Sequence, residues 1–137
     1  MNLQGIWYNE LGSVLTIDAI VGNTFQLNYQ TAVSTENCAQ GTFNGTGYIN
    51  VAPSGTTIGM VVAWQNELSN CESVTTWSGY CTVDPLNQQI VAFWLLTSID
   101  PANQWASTLV GQDIFSQTPP TEKEIEKNSL IKRHSHK

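Results

Sequence analysis

The sequence predicts an all-β protein, an eight-stranded antiparallel up-and-down β-barrel. Three observations carry that prediction. Apolar and polar residues alternate with period two along most of residues 1–117, the pattern of strands with one buried face. The breaks between these runs carry Gly, Pro, Asn and Asp, which supply turn geometry. No stretch of this body repeats its apolar residues at helical spacing. Consecutive short strands with short connections favour an up-and-down barrel or a sandwich. Eight strands enclose their own side chains plus room for one small ligand.

The elements follow in order. A strand near Gly5–Asn9 stops at Glu10-Leu11-Gly12. The next, Ser13–Ile20, stops at Val21-Gly22-Asn23. Thr24–Thr31 runs into a long polar loop that holds Cys38. Gly41–Val51 and Thr57–Gln65 flank the turn residues Pro53-Ser54-Gly55. Val74–Asp84 follows a loop containing Cys71 and ends at Pro85-Leu86-Asn87. Gln89–Ser98 ends before Asp100-Pro101-Ala102-Asn103, and Gln104–Phe115 is the last strand. Two strands are apolar on both faces. In the seventh, Ile90, Ala92, Trp94, Leu96 and Ser98 share one face and Val91, Phe93, Leu95 and Thr97 the other. The last repeats this, with Val110 and Ile114 opposite Asp113. A free-standing barrel has a polar outer face, so this predicts burial against another subunit. The other reading is a sandwich with one strand covered on both sides.

A chain of 137 residues suits one domain with a real core. Charged residues make up 12%, about half the usual share of roughly 25%. Charge is also partitioned. Residues 1–121 carry eight acids and no Lys, Arg or His, whereas three Glu and all five cations follow. A body without cations cannot neutralise phosphates, which argues against nucleic acid and against an anionic membrane surface. No apolar run approaches the roughly 18 residues that span a bilayer. Without His or Lys the body lacks the commonest general base and the Schiff-base nucleophile. It also lacks a Ser-His pair, a metal-binding His cluster and a phosphate loop. His134 and His136 alone are weak evidence for a metal. The expectation is a protein that is not an enzyme and carries no metal.

Asp113 is the pivotal residue. It lies among apolar neighbours, and a buried unpaired carboxylate costs several kcal/mol. If it is buried, neutral donors must satisfy it: hydroxyls, amides, water or the N–H groups of a ligand. The alternative is an Asp exposed at a strand end. The cysteines leave two readings open as well. A Cys38–Cys71 bridge would tie two loops at one end of the barrel, imply an oxidising compartment and leave Cys81 a buried thiol. Otherwise all three are reduced. Residues 118–137 begin with Pro-Pro, are rich in charge and hold few apolar residues. They read as a charged tail, disordered or involved in assembly. Thr121 with Glu122 and Glu124 could instead cap a short helix.

Six fragments now stand in order: GIWYNELGS at 5–13, NYQTAVS at 28–34, AWQN at 63–66, SVTTWSGYC at 73–81, WLLTS at 94–98 and WASTLVGQDIF at 105–115. Together they closely resemble the avidin/streptavidin family of biotin-binding β-barrels, over residues 3 to 117. The size rule for eight-stranded barrels is drawn in part from this family, so it adds no independent support. The resemblance implies high-affinity, non-covalent biotin binding with biotin as ligand and no cofactor. It implies that Asn9, Ser13 and Tyr29 donate to the ureido oxygen and that Thr31 and Asp113 accept from the ureido N–H groups. Thr75 would meet the thioether sulfur. Trp64, Trp77, Trp94 and, from an adjacent subunit, Trp105 would box the rings. Ala32, Val33 and Ser34 would lie in a closing loop, and Ser73 would reach the valeryl carboxylate. Leu11, Leu96 and Ser98 would line the walls. The Cys38/Cys71 placement resembles bacterial members that tie this loop to its neighbour.

A tryptophan at 105 favours a homotetramer, while the polar Gln112 at the weaker interface leaves a dimer open and the cationic tail offers a route to higher assembly. The opening residues MNLQGIW lack the features of a signal peptide. The expectation is a secreted or periplasmic protein whose signal lies outside these residues. Two other functions compete. A lipocalin-like carrier of an apolar ligand would leave Asn9, Ser13 and Tyr29 unpaired. An enzyme would have to work through Asp113.

Overall fold

The computed structural model describes residues 2–32, 38–99, 101–102 and 107–135, with side chains to residue 130. Eight strands follow one another: β1 Gly5–Tyr8, β2 Val14–Ile17, β3 Thr24–Gln30, β4 Phe43–Ala52, β5 Gly55–Gln65, β6 Asn70–Cys81, β7 Gln89–Ser98 and β8 Thr108–Ser116. Each pairs antiparallel with the next and β8 returns to β1, closing the barrel. The predicted fold class is the observed one.

The alternation in the sequence is the alternation in space. Leu15 and Ile17 of β2, Phe25 and Leu27 of β3, Ile58 and Val62 of β5, Ile90 of β7 and Phe115 of β8 are buried together with Trp7 and Phe43. Each such side chain contributes about 1.5–3 kcal/mol over an exposed position. Gly47 lets Phe25 lie against the opposite strand, since a Cβ there would stand 2.3 Å from its ring. Outward positions of β7 and β8 remain apolar: Phe93, Leu95 and Val110 are all more than half exposed on this single chain.

Several boundaries differ from expectation, most clearly in β2 and β6. β2 ends at Ile17, although the Asp18 amide still donates to the Gln26 carbonyl. β6 starts at Asn70 rather than Val74, because Asn70 pairs with Gln65 of β5 beyond a bulge; its side chain also accepts the Glu72 amide at 2.9 Å. That bond supports Glu72 in the left-handed region at φ 53°. The start of the last strand, 104–106, lies outside the described residues. The tail follows the second of its two readings: Glu122–Ser135 form α1, the helix that Thr121 could cap, instead of an unstructured segment. The Thr121 amide donates to Glu124 and the Glu124 amide to the Thr121 hydroxyl, each at 3.2 Å, a reciprocal cap. Glu122 and Glu124 occupy the positive end of the helix dipole.

The closing seam is narrow. β1 and β8 pair only at Tyr8 and Ser116, the last residue of each. This offset is the stagger that a closed sheet requires. It brings the turn after β1 alongside the second half of β8.

Candidate functional site

Asp113 is inside the barrel, 6% exposed. One carboxylate oxygen accepts the Trp77 indole N–H at 3.0 Å and the other faces the Asn9 amide nitrogen at 3.5 Å. Both donors are neutral, as a cation-free body demands. The Asn9 side chain is fixed by its own turn. Its oxygen accepts the Leu11 amide at 3.0 Å and the Ser13 amide at 2.9 Å, so its nitrogen must point inward. That nitrogen also stands 3.5 Å from the Tyr29 hydroxyl. Contacts of 3.5 Å are at the outer limit of hydrogen bonding. The donors of Asn9 are therefore aimed into the site without being firmly used.

Burial first, and then the negative charge of Asp113, push the Tyr29 phenol up; a hydrogen bond with Ser13 opposes this and Glu10 adds to it. Tyr29 consequently keeps its O–H proton across the ordinary pH range and serves as a donor. Ser13 is buried, and its hydroxyl accepts the Ala32 amide at 3.0 Å, leaving its own proton to donate. Among the described residues no buried side-chain nitrogen or oxygen lacks a hydrogen-bond partner.

The walls are aromatic. Tyr29 lies 5.2 Å from Trp77 and 5.5 Å from Trp64, ring centre to ring centre, and Trp64 lies edge-on to Phe43 at 5.1 Å. The Trp64 indole N–H donates to the Thr75 hydroxyl at 2.7 Å, which locks one wall. Trp94 faces Trp77 across β6 and β7 and Gly111 across β7 and β8. A Cβ at position 111 would fall 2.1 Å from the Trp94 ring, so only glycine lets that indole lie flat. Leu96 pairs with Thr75 and Ser98 with Ser73 on the same two strands. Leu11, Thr31, Ser73, Trp94, Leu96 and Ser98 are half-buried, and Ala32 is exposed. Val33, Ser34 and Trp105 lie outside the described residues.

Cys38 and Cys71 form a disulfide with Cα atoms 5.6 Å apart, tying the β3–β4 loop to the start of β6. Cys81 is the buried free thiol. The reading with all three cysteines reduced is set aside. Among the described residues no group of three His, Cys, Asp or Glu could hold a metal, and no helix is long and apolar enough to cross a membrane.

Sequence reasoning did not single out Phe43, Gly111 or Glu10. A glycine inside a strand pattern is itself a signal of close backbone approach, and it was present at 111.

Fold and site together define a closed β-barrel that presents donors and one carboxylate, between indole walls, to a small polar-headed ligand. A model of the Avidin family matches residues 1–118. The chain is 32% identical over 122 residues to avidin from Gallus gallus, covering 85% of this chain and 78% of that protein. It is 34% identical over 91 residues to afifavidin from Afifella pfennigii, covering 66% of this chain and 54% of the relative. Avidin-related protein 4/5 from Gallus gallus is 32% identical over 129 residues, covering 85% and 77%. The chain belongs to the avidin family, whose members bind biotin, are not enzymes and need no cofactor.

Proposed function

We propose that this protein binds biotin itself, non-covalently and with high affinity, inside the barrel. The observation that carries the reading is Asp113: a buried carboxylate held by Trp77 and Asn9, with no cation in the body to compete for it. A cyclic urea has one strong acceptor and two donors. Asn9, Ser13 and Tyr29 supply donors for its oxygen, and Thr31 and Asp113 accept its N–H groups. Charge-assisted bonds of the Asp113 kind are about twice as strong as neutral ones. Thr75 meets the sulfur, and Trp64, Trp77 and Trp94 wall the rings, with Trp105 of a neighbouring subunit closing them. Leu11, Leu96 and Ser98 line the cavity, and Ala32, Val33, Ser34 and Ser73 receive the valeryl end. Because the turn and the indole bonds already fix these groups, little ordering remains to oppose binding.

The assembly belongs to the same proposal. Phe93, Leu95 and Val110 form the apolar outer face that a second barrel would cover, and a homotetramer is the expected form. Residues 1–117 are the binding unit and 118–137 an appendage to it. The disulfide supports export to an oxidising compartment, secreted or periplasmic. Calorimetry with biotin tests the function: one site per chain is expected, and no heat at any attainable concentration refutes it. Sedimentation tests the assembly, and a monomer at micromolar concentration refutes the covered face.

A further inference from the structure

The turn after β1 meets β8 through two consecutive residues, of which the second holds it firmly. Asn9 turns inward to the Asp113 side chain. Glu10 reaches along the seam, and its carboxylate accepts the backbone N–H of Ile114, the residue after Asp113. The register explains why. Tyr8 pairs with Ser116, so two steps further Glu10 stands opposite Ile114. The main-chain ladder stops at Tyr8, because Asn9 and Gly12 close the turn on each other: the Gly12 amide donates to the Asn9 carbonyl at 3.1 Å and the Asn9 amide to the Ser13 carbonyl at 3.1 Å. A glutamate side chain thus takes over from the missing strand.

The same turn is braced from outside. The Asn128 amide of α1 donates to the Glu10 carbonyl at 3.3 Å, and Ile125 packs on Gly12, whose absent Cβ would lie 3.3 Å from the isoleucine methyl. Gly12 itself holds φ at 88°, so a side chain there would be strained as well as crowded.

We propose that Glu10 is a positioning residue for ligand binding: by clamping the Ile114 amide to the β1–β2 turn, it holds the Asp113 carboxylate in register with Asn9. This rests on the biotin reading above. Glu10 touches no ligand; it acts by fixing the distance between a donor and an acceptor that must both meet the same urea ring. The clamp sits where β1 and β8 share a single ladder position, so along this seam the main chain gives little other support, although β7 holds β8 from its other edge. Small shifts in such an arrangement weaken charge-assisted bonds steeply.

The test uses the full chain with Glu10→Ala, Glu10→Gln and Glu10→Asp, and biotin as the probe. The biotin dissociation rate is measured by chase, the association rate by stopped flow, and the ligand-free Ile114 amide by nitrogen–proton spectroscopy. Glu10→Ala raises the dissociation rate about tenfold with association unchanged, the loss of one hydrogen bond to a charged acceptor. Glu10→Gln stays within about threefold of the parent, because its carbonyl accepts the same N–H. Glu10→Asp keeps the charge but shortens the arm, and it behaves like the alanine variant; it decides the matter if Glu10→Ala does not fold. Parental dissociation from both Ala and Asp variants overturns the proposal. So does a parental Asp variant beside a defective Gln variant, since charge rather than reach would then be responsible. If the parent chain binds no biotin, function and positioning role fall together, and the Ile114 amide signal reports separately whether the clamp exists.

Discussion

Replacing Asp113 by Asn changes almost no volume, so its effects are electrostatic and directional. In the native barrel both carboxylate oxygens accept: one from the Trp77 indole, the other facing the Asn9 amide. An asparagine offers one acceptor and one NH2 group. Whichever way it turns, a donor meets a donor, at Trp77 or at Asn9. A buried donor left without an acceptor costs about 1–3 kcal/mol. This penalty exists before any ligand arrives, so it lowers the stability of the ligand-free protein by that amount. Affinity falls for a second reason. The urea N–H loses a charged acceptor, which is about 1.5–3 kcal/mol, or about ten- to hundredfold in Kd. Denaturant unfolding without biotin and competition calorimetry with it separate the two effects. A variant with parental stability and parental affinity would refute the account of Asp113 as the buried centre of the site.

Three further outcomes are expected. Gly111→Ala forces the Trp94 indole out of its place; overpacking of this kind costs about 1–3 kcal/mol, and it should appear as a lower melting temperature with weaker biotin binding. Opening the bridge by Cys38→Ser releases two residues 33 apart in sequence, and chain entropy puts the loss at about 3–4 kcal/mol of unfolding free energy. Alkaline pH destabilises the fold. Burial raises the Cys81 thiol above its ordinary 9.0 and the Tyr29 phenol above its ordinary 10.0. Both protons are held more tightly in the folded state, so these two groups add no pH dependence well below pH 9, and above it stability declines by up to about 1.4 kcal/mol per pH unit for each group ionised only when unfolded. Thermal melts between pH 8 and 11 check this, and Cys81→Ala should move the onset toward pH 10.

The strand pattern was legible because each buried face obeys one rule over eight segments. Asp113 was legible for a chemical reason: residues 1–121 hold no cation that could pair with it. What stayed hidden depended on register. Trp94 and Gly111 are neighbours only because β7 and β8 pair as they do, and alternation alone does not set that alignment. The Glu10 clamp needs the barrel's stagger, which no local pattern encodes. The helix stood only as the alternative to a loose tail because its apolar residues are sparse, although the Thr121 cap was visible. One of them, Ile125, helps to seat it by meeting a glycine more than a hundred residues earlier, together with the Asn128 bond to Glu10. Tertiary contact here outweighed composition. β6 began early because Asn70 pairs with Gln65 of β5 beyond a bulge, an alignment that no strand propensity encodes.

The separation of charge along the chain makes the molecule chemically one-ended. Lys123 and Lys127 stand exposed on α1, against the β1–β2 turn, and the barrel wall bears no lysine at all. Reagents that acylate amines will therefore find side chains only on that appendage. Dyes, cross-linkers or a derivatised surface attached in this way would leave the strands and the tryptophan-lined interior unmodified, and would hold every copy by the same end.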